Sequence, residues 1–271
     1  MQRLLTALIA IPLAVAAMFL LPAAYFFVLC TLLIDWGALE FVRLARAFAP
    51  KGPIGVLPFL VPLAALALAA ALHGVPERPG AWLFGAALVV SVGLGALVLW
   101  FRTPLAETMP SWGVLAFGLP YFSLPIASLY WIQRADPWLV FLLCAIVWLG
   151  DSAALYAGKT LGRHKLAPVV SPKKSWEGAI AGFAMGLVAT AVWSFYRNPA
   201  ELLPLLMVAA ATSIAAQTGD LVESLIKRSA GVKDSGGVLP GHGGLFDRMD
   251  AMLFGAPVFL AGLWLIGYTG L

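Results

Sequence analysis

Nine apolar runs recur along this chain, at about residues 4–21, 23–34, 54–72, 81–101, 112–132, 137–157, 178–196, 202–218 and 251–271. The hydrocarbon core of a bilayer, about 30 Å thick, takes about 20 apolar helical residues to cross. Most of the runs have that length. The second is short, so it either continues as helix beyond its apolar part or tilts into the interface. A water-soluble fold has no interior large enough for nine such stretches, and only 11% of the residues are charged, against about 25% in soluble domains. The runs predict an all-α integral membrane protein with about nine transmembrane helices. Arg3 ahead of the first run gives it a signal-peptide look, but eight further runs favour an uncleaved span.

Nine spans put the two termini on opposite sides, and charge sets the orientation. Cytoplasmic loops are enriched in Lys and Arg. With the N-terminus inside, every Lys and Arg falls on inner segments except Arg78, Arg134 and Arg197. Each of those three has an acid nearby, Glu77, Asp136 and Glu201 respectively. The expected topology is therefore N-terminus cytoplasmic and C-terminus outside. The net charge of +4 then reflects basic inner loops facing anionic headgroups and calls for no nucleic acid. Cys30 and Cys144 both lie inside apolar runs without metal-ligand spacing, so they are expected to pack rather than react.

Polar residues gather in the C-terminal half: residues 151–250 hold eighteen of the chain's thirty charges. This divides the chain into an N-terminal transmembrane region, 1–136, and a C-terminal catalytic region, 137–271. The first has about five spans and is expected to serve as scaffold, lipid-facing surface or dimer interface. The second carries cytoplasmic loops over 158–177 and 219–250.

Three clusters stand out. Asp151 and Ser152 interrupt the sixth run, where a carboxylate costs about 2.5–3.5 kcal/mol at mid-membrane; such a residue faces a bundle interior or a wet cavity, unless it sits shallow and pairs with Lys159. The loop 158–178 ends in Ser171-Pro-Lys173-Lys174-Ser175-Trp-Glu-Gly178. Its lysines and hydroxyls supply converging donors of the kind a polyphosphate wants, although such lysines also serve as topology signals. Ser175 is placed to cap a helix opening near Gly178.

The third cluster spans 217–250. If its helix runs on through Arg228, then Asp220, Glu223, Ser224 and Lys227 share one face, as do Asp247 and Asp250 at the start of the last span. Between them lie Gly236, Gly237, Gly241, Gly243 and Gly244, whose backbone N–H groups can approach phosphate closely. Aspartates from two segments beside such a loop predict a divalent-metal site, since Mg²⁺ is held by one or two carboxylates plus substrate phosphates. The bland alternative is a solvated loop with i,i+4 pairs such as Glu223–Lys227.

The run from Ser224 to Asp250 resembles the signature of the phosphatidate cytidylyltransferases, also called CDP-diacylglycerol synthases. That signature reads S-x-x-K-R-x4-K-D, then a hydrophobic residue, P-x-H-G-G-x-x-D-R-x-D, and every specified position is matched here. Ser171 to Gly178 is similar to the family's S-P-K-K-T-W-E-G, with Ser175 in place of Thr. Asp151-Ser152 through Lys159 resembles its D-T/S-x-A-Y-x-x-G-K/R element.

The resemblance implies the reaction of CTP with phosphatidic acid to give CDP-diacylglycerol and pyrophosphate, with Mg²⁺, and in some members K⁺ as a second ion. It implies a bacterial cytoplasmic (inner) membrane enzyme whose site faces the cytoplasm, with membrane lipids around it; a homodimer through the first five spans stays an open alternative. Asp220, Asp247 and Asp250 are the expected metal ligands, acting with Lys227, Arg228 and His242 in catalysis. Asp151, Ser171, Lys173, Lys174, Ser175, Ser224, Lys233, Asp234, Gly243, Gly244 and Arg248 are expected to bind substrate. Trp176 could stack on cytosine or anchor its helix in the interface. Two alternatives remain open at this point: a CTP-dependent enzyme for another lipid or isoprenoid phosphate, and an ion-coupled secondary transporter using Asp151 and Asp220. The transporter is disfavoured by the absence of matching halves.

Overall fold

A computed structural model describes residues 2–71, 79–237 and 243–268, apart from the side chains of 2–10 and 79–88. The predicted His242 and the Glu77–Arg78 pair lie outside the described residues. Nine α-helices occur among the described residues: α1 Gln2–Leu20, α2 Ala23–Ala45, α3 Leu57–Ala71, α4 Pro79–Trp100, α5 Leu105–Ala135, α6 Pro137–Thr160, α7 Trp176–Arg197, α8 Leu202–Ser229 and α9 Phe246–Leu265. Seven of the helical stretches described are long and apolar enough to cross a bilayer. The chain is an all-α integral membrane protein.

Two runs extend beyond their apolar parts. The second continues as helix through Asp35 and Glu40 to Ala45, and the eighth continues through Asp220 and Arg228 to Ser229. Both extensions are held by packing, because Glu40 and Glu223 point inward. Large side chains on the outer surface, including Leu99, Phe195 and Leu265, are exposed. Water would penalise so broad an apolar surface; lipid tails do not.

The α6–α7 hairpin turns through two short strands, β1 Lys165–Ala167 and β2 Ser171–Ser175, paired antiparallel with Lys165 opposite Ser175 and Ala167 opposite Ser171. Ser175 ends the strand and caps the helix, its Oγ accepting the Gly178 N–H at 3.2 Å, as its position in the sequence predicts. Small residues bring the two helices close. A Cβ on Gly182 would stand 2.9 Å from the Gly150 carbonyl oxygen, and one on Gly178 would stand 2.7 Å from that of Ala154. The α8–α9 pair repeats the device, since a Cβ on Gly219 would lie 2.6 Å from the Asp250 carbonyl oxygen.

These antiparallel connections give the C-terminal helices two distinct ends. One carries Asp136 and Arg197, paired at 3.1 Å, with Asp136 also accepting the Trp138 N–H at the start of α6. Arg197 therefore finds its acid at the α5–α6 connection. The other end carries the β1–β2 hairpin, the end of α8 and the start of α9. A buried aromatic cluster ties the N-terminal region to that end: Phe41 of α2 and Phe122 of α5 stack around Phe246 of α9, with centroids 5.4–6.1 Å apart.

Candidate active site

Lys174 projects from β2 and meets Asp220 of α8, with Nζ 2.5 Å from Oδ2. The strand ends one residue later in the Ser175 cap, which fixes where Lys174 starts, while the extended α8 carries Asp220 beyond its apolar segment. The pair lines a cavity of about 650 Å³ together with Asp151, Lys159, Lys165 and Lys173. Four lysines and two aspartates in one lining make a pocket suited to an anion accompanied by a cation.

Behind Asp220 three carboxylates converge. Oxygen atoms of Asp220, Glu223 and Asp250 all lie within 4.8 Å of one another. Asp220 and Glu223 are one helical turn apart on α8, so their side chains share a face. The Gly219 contact brings α9 close enough for Asp250 to join them. Of the expected trio Asp220, Asp247 and Asp250, the fold brings Asp220 and Asp250 together with Glu223, and Asp247 stands beside them.

Asp247 is engaged elsewhere. Its Oδ1 lies 2.6 Å from Lys227 Nζ, and its Oδ2 accepts the backbone N–H groups of Ser235 at 3.1 Å and Gly244 at 2.7 Å. Lys227 Nζ also stands 2.7 Å from Glu223 Oε2. Lys227 thus bridges the two carboxylates, and the i,i+4 pair read from sequence is one arm of that bridge. Asp247 draws together the two described flanks of the glycine-rich loop, and it does so while adjoining the carboxylate trio through Glu223. Gly243 sits at φ +77°, where a side chain would be strained and a Cβ would press on the Asp247 carboxylate.

The donor set of the trio fits a hard divalent cation. All its atoms are carboxylate oxygens, the preference of Mg²⁺. Glu223 is 1% exposed, and its Oε1 has no hydrogen-bond donor among the described residues, so one member of the cluster carries a bare acceptor where burial is costly. The hydroxyl of Tyr121 on α5 is likewise buried without a hydrogen-bond partner among the described residues.

The other expected residues fall in three places. Lys173, Lys174 and Asp151 line the cavity, and Ser175 closes its floor as the helix cap. Gly244 binds Asp247. Arg228 instead reaches the Val170 and Val232 carbonyls at 3.4 and 3.3 Å, joining the end of α8 to the hairpin. Ser171 is half-buried in the β1–β2 ladder, Ser224 is half-buried on α8, and Lys233, Asp234 and Arg248 are exposed around the loop. Sequence reasoning gave no role to Gln217, which lines the cavity and donates to the Ala179 carbonyl at 3.2 Å, nor to Glu40. Glu40 lies beyond the end of the second apolar run and so lacks the signal that singled out Asp151, which interrupts its run.

A second groove, of about 310 Å³, adjoins the first and shares Leu166, Ala179 and Gln217 with it. Its other walls include Ile180 and Phe183 of α7 and Ile214 and Leu221 of α8. It is almost entirely apolar, and Trp176 stands at its edge, 55% exposed.

Residues 1–266 match the family described as the cytidylyltransferase family. The phosphatidate cytidylyltransferase of Pseudomonas aeruginosa is 36% identical over 272 residues, covering 98% of each chain. That of Rickettsia bellii is 38% identical over 189 residues, 66% of this chain and 80% of the relative. That of Bacillus subtilis is 43% identical over 119 residues, 44% of each. The chain belongs to the cytidylyltransferase family and is an enzyme, which sets the transporter alternative aside.

Proposed function

We propose that this cytidylyltransferase joins CTP to phosphatidic acid, making CDP-diacylglycerol and pyrophosphate. The observation that carries the reading is the adjacency of two unlike spaces. A cavity lined by four lysines, Asp151 and Asp220 adjoins an apolar groove between α7 and α8, with Leu166, Ala179 and Gln217 lining both. A water-soluble triphosphate and a lipid phosphate need such a pair of neighbouring sites. The named relatives that match along the chain support the choice of substrates.

In the proposed reaction a phosphate oxygen of phosphatidate attacks the α-phosphorus of CTP in line. The bond from that phosphorus to the α,β-bridging oxygen breaks, and pyrophosphate leaves with the electron pair. Little covalent work falls to the protein, which positions two anions and offsets their repulsion. Lys173 and Lys174, with Lys159 and Lys165, neutralise phosphate charge in the cavity. Asp220, Glu223 and Asp250 would hold a Mg²⁺ ion, which supplies charge neutralisation at the triphosphate and stabilises the leaving group. Asp247, tied to Lys227, acts as the anchor of the glycine-rich loop and adjoins the ion's ligands through Glu223. Gly243 and Gly244 bring that loop's backbone to the site, and the apolar groove receives an acyl chain.

The enzyme is read as residing in the bacterial cytoplasmic membrane with this end facing the cytoplasm, N-terminus inside and C-terminus outside. The support is the gathering of Lys and Arg around the hairpin and the α8–α9 loop, where CTP is available. Purified protein in mixed micelles, given CTP, Mg²⁺ and phosphatidate, is expected to release pyrophosphate and CDP-diacylglycerol in equal amounts. Turnover with an isoprenoid phosphate and none with phosphatidate would replace the lipid substrate. No turnover with either would overturn the reading.

A further inference from the structure

Glu40 belongs to α2, far in sequence from every residue assigned above, yet it is fully buried at the glycine-rich loop. Its exposure is 0%, and its Oε2 accepts both the Ser235 hydroxyl and the Phe246 N–H at 2.9 Å. Phe246 opens α9, and its N–H is one of the first-turn donors that no helical carbonyl can reach. The residue preceding the helix, Leu245, has no side-chain oxygen with which to cap it. The acceptor that α9 lacks locally is therefore delivered from α2, and the positive end of the helix dipole favours a carboxylate there.

The same carboxylate reads the loop's shape. A Cβ on Gly236 would stand 2.7 Å from Glu40 Oε1, and a Cβ on Gly244 would collide with Oε2. Asp247 holds the Ser235 and Gly244 backbone N–H groups while Glu40 holds the Ser235 hydroxyl and the Phe246 N–H. Two carboxylates from opposite parts of the chain thus hold the same two flanks of the loop, Ser235 on one and Gly244–Phe246 on the other. Burying a carboxylate with two donors is costly unless the arrangement is tightly built, and packing alone would be better met by an apolar side chain.

We infer that Glu40 is a positioning residue for catalysis: it fixes the glycine-rich loop and the start of α9, and through them the placement of Asp247 and Asp250. The inference rests on the proposed site for its catalytic consequence but not for the loop contact itself. The N-terminal region, on this view, contributes directly to the geometry of the site.

The test compares Glu40→Ala and Glu40→Gln with the parent, full-length in micelles, by amide hydrogen exchange and steady-state kinetics. Gln can present its carbonyl oxygen where Oε2 lies, so it keeps the contacts without the charge. In Glu40→Ala, exchange over 235–237 and 243–247 is expected to rise about tenfold or more while α6 and α7 stay protected. Its kcat is expected to fall about a hundredfold, the cost of a displacement of about 1 Å at a site, with KM for CTP little changed. Glu40→Gln is expected to recover parent-like exchange and most of kcat. Parent-like exchange and kcat in Glu40→Ala would overturn the inference, as would loss of protection throughout the protein, which would make Glu40 an ordinary core residue. If the parent itself has no turnover, the proposed reaction fails while the exchange comparison still decides whether Glu40 holds the loop.

Discussion

Lys174 Nζ lies 2.5 Å from Asp220 Oδ2, joining a two-stranded hairpin to the end of α8 across the mouth of the cavity. Both side chains are partly exposed, at 26% and 32%, so their mutual attraction adds about 0–1 kcal/mol to stability. On the proposed reading its larger consequence is for binding: Lys174 neutralises one carboxylate of the trio and is the cation a phosphate would draw away.

Lys174→Ala is therefore expected to leave folding and membrane insertion intact and to raise KM for CTP by about tenfold, the loss of one charge-assisted contact of about 1.5 kcal/mol. Initial-rate measurements with CTP varied at fixed phosphatidate check this. Unchanged kinetics would reduce Lys174 to a topology signal.

Asp250→Asn and Asp247→Asn should fail in different ways. Asp250 belongs to the converging trio, so its amide variant is expected to need more Mg²⁺, with activity partly restored as the metal is raised. Asp247 holds Lys227 and two loop N–H groups. Its amide variant is expected to lose about a hundredfold in kcat with no rescue by metal. Activity titrated against Mg²⁺ in both proteins separates the roles; equal rescue of both would return Asp247 to the ligand set.

Chelation makes a third expectation. Removing divalent ions should abolish turnover, and Mn²⁺, which shares the preference for oxygen ligands, should restore it. Binding of Mn²⁺ to the protein without nucleotide, followed by paramagnetic resonance, is expected to weaken in Glu223→Gln. Undiminished binding in that variant would remove Glu223 from the site.

What the sequence revealed follows from the physics of each feature. Bilayer thickness imposes a length on every span, so the apolar runs foretell the helices, and Ser175 before Gly178 foretells a cap because capping is local. The extent of α2 was hidden, since Asp35 and Glu40 end the apolar pattern without ending the helix. The choice between Glu223 and Asp247 was hidden for another reason. Helical spacing puts Asp247 with Asp250 and Glu223 with Asp220 equally well, and only the contacts of Asp247 with Lys227, Ser235 and Gly244 show that it is engaged with the loop. Glu40 lies 195 and 206 positions from its partners Ser235 and Phe246, beyond the reach of any local pattern.

Gly219 offers the sharpest test that α8 and α9 must touch for the site to form. A Cβ there would stand 2.6 Å from the Asp250 carbonyl oxygen and 3.2 Å from the Phe254 side chain. The first neighbour is backbone and cannot rotate away, so Gly219→Ala has to separate the helices. Overpacking of this kind costs about 1–3 kcal/mol, and the displacement falls directly on Asp250 and its distance from Asp220 and Glu223. The variant is expected to insert in the membrane, to melt several degrees lower, and to lose about a hundredfold in kcat. An alanine at Gly231 controls for the substitution itself: nothing stands within 4 Å of its Cβ position, but its φ of +76° makes the change mildly destabilising without touching the carboxylates. Thermal unfolding and turnover of the two variants are measured side by side. Loss of stability in both with loss of turnover in Gly219→Ala alone would tie catalysis to the α8–α9 contact, and parent-like turnover in Gly219→Ala would break that tie.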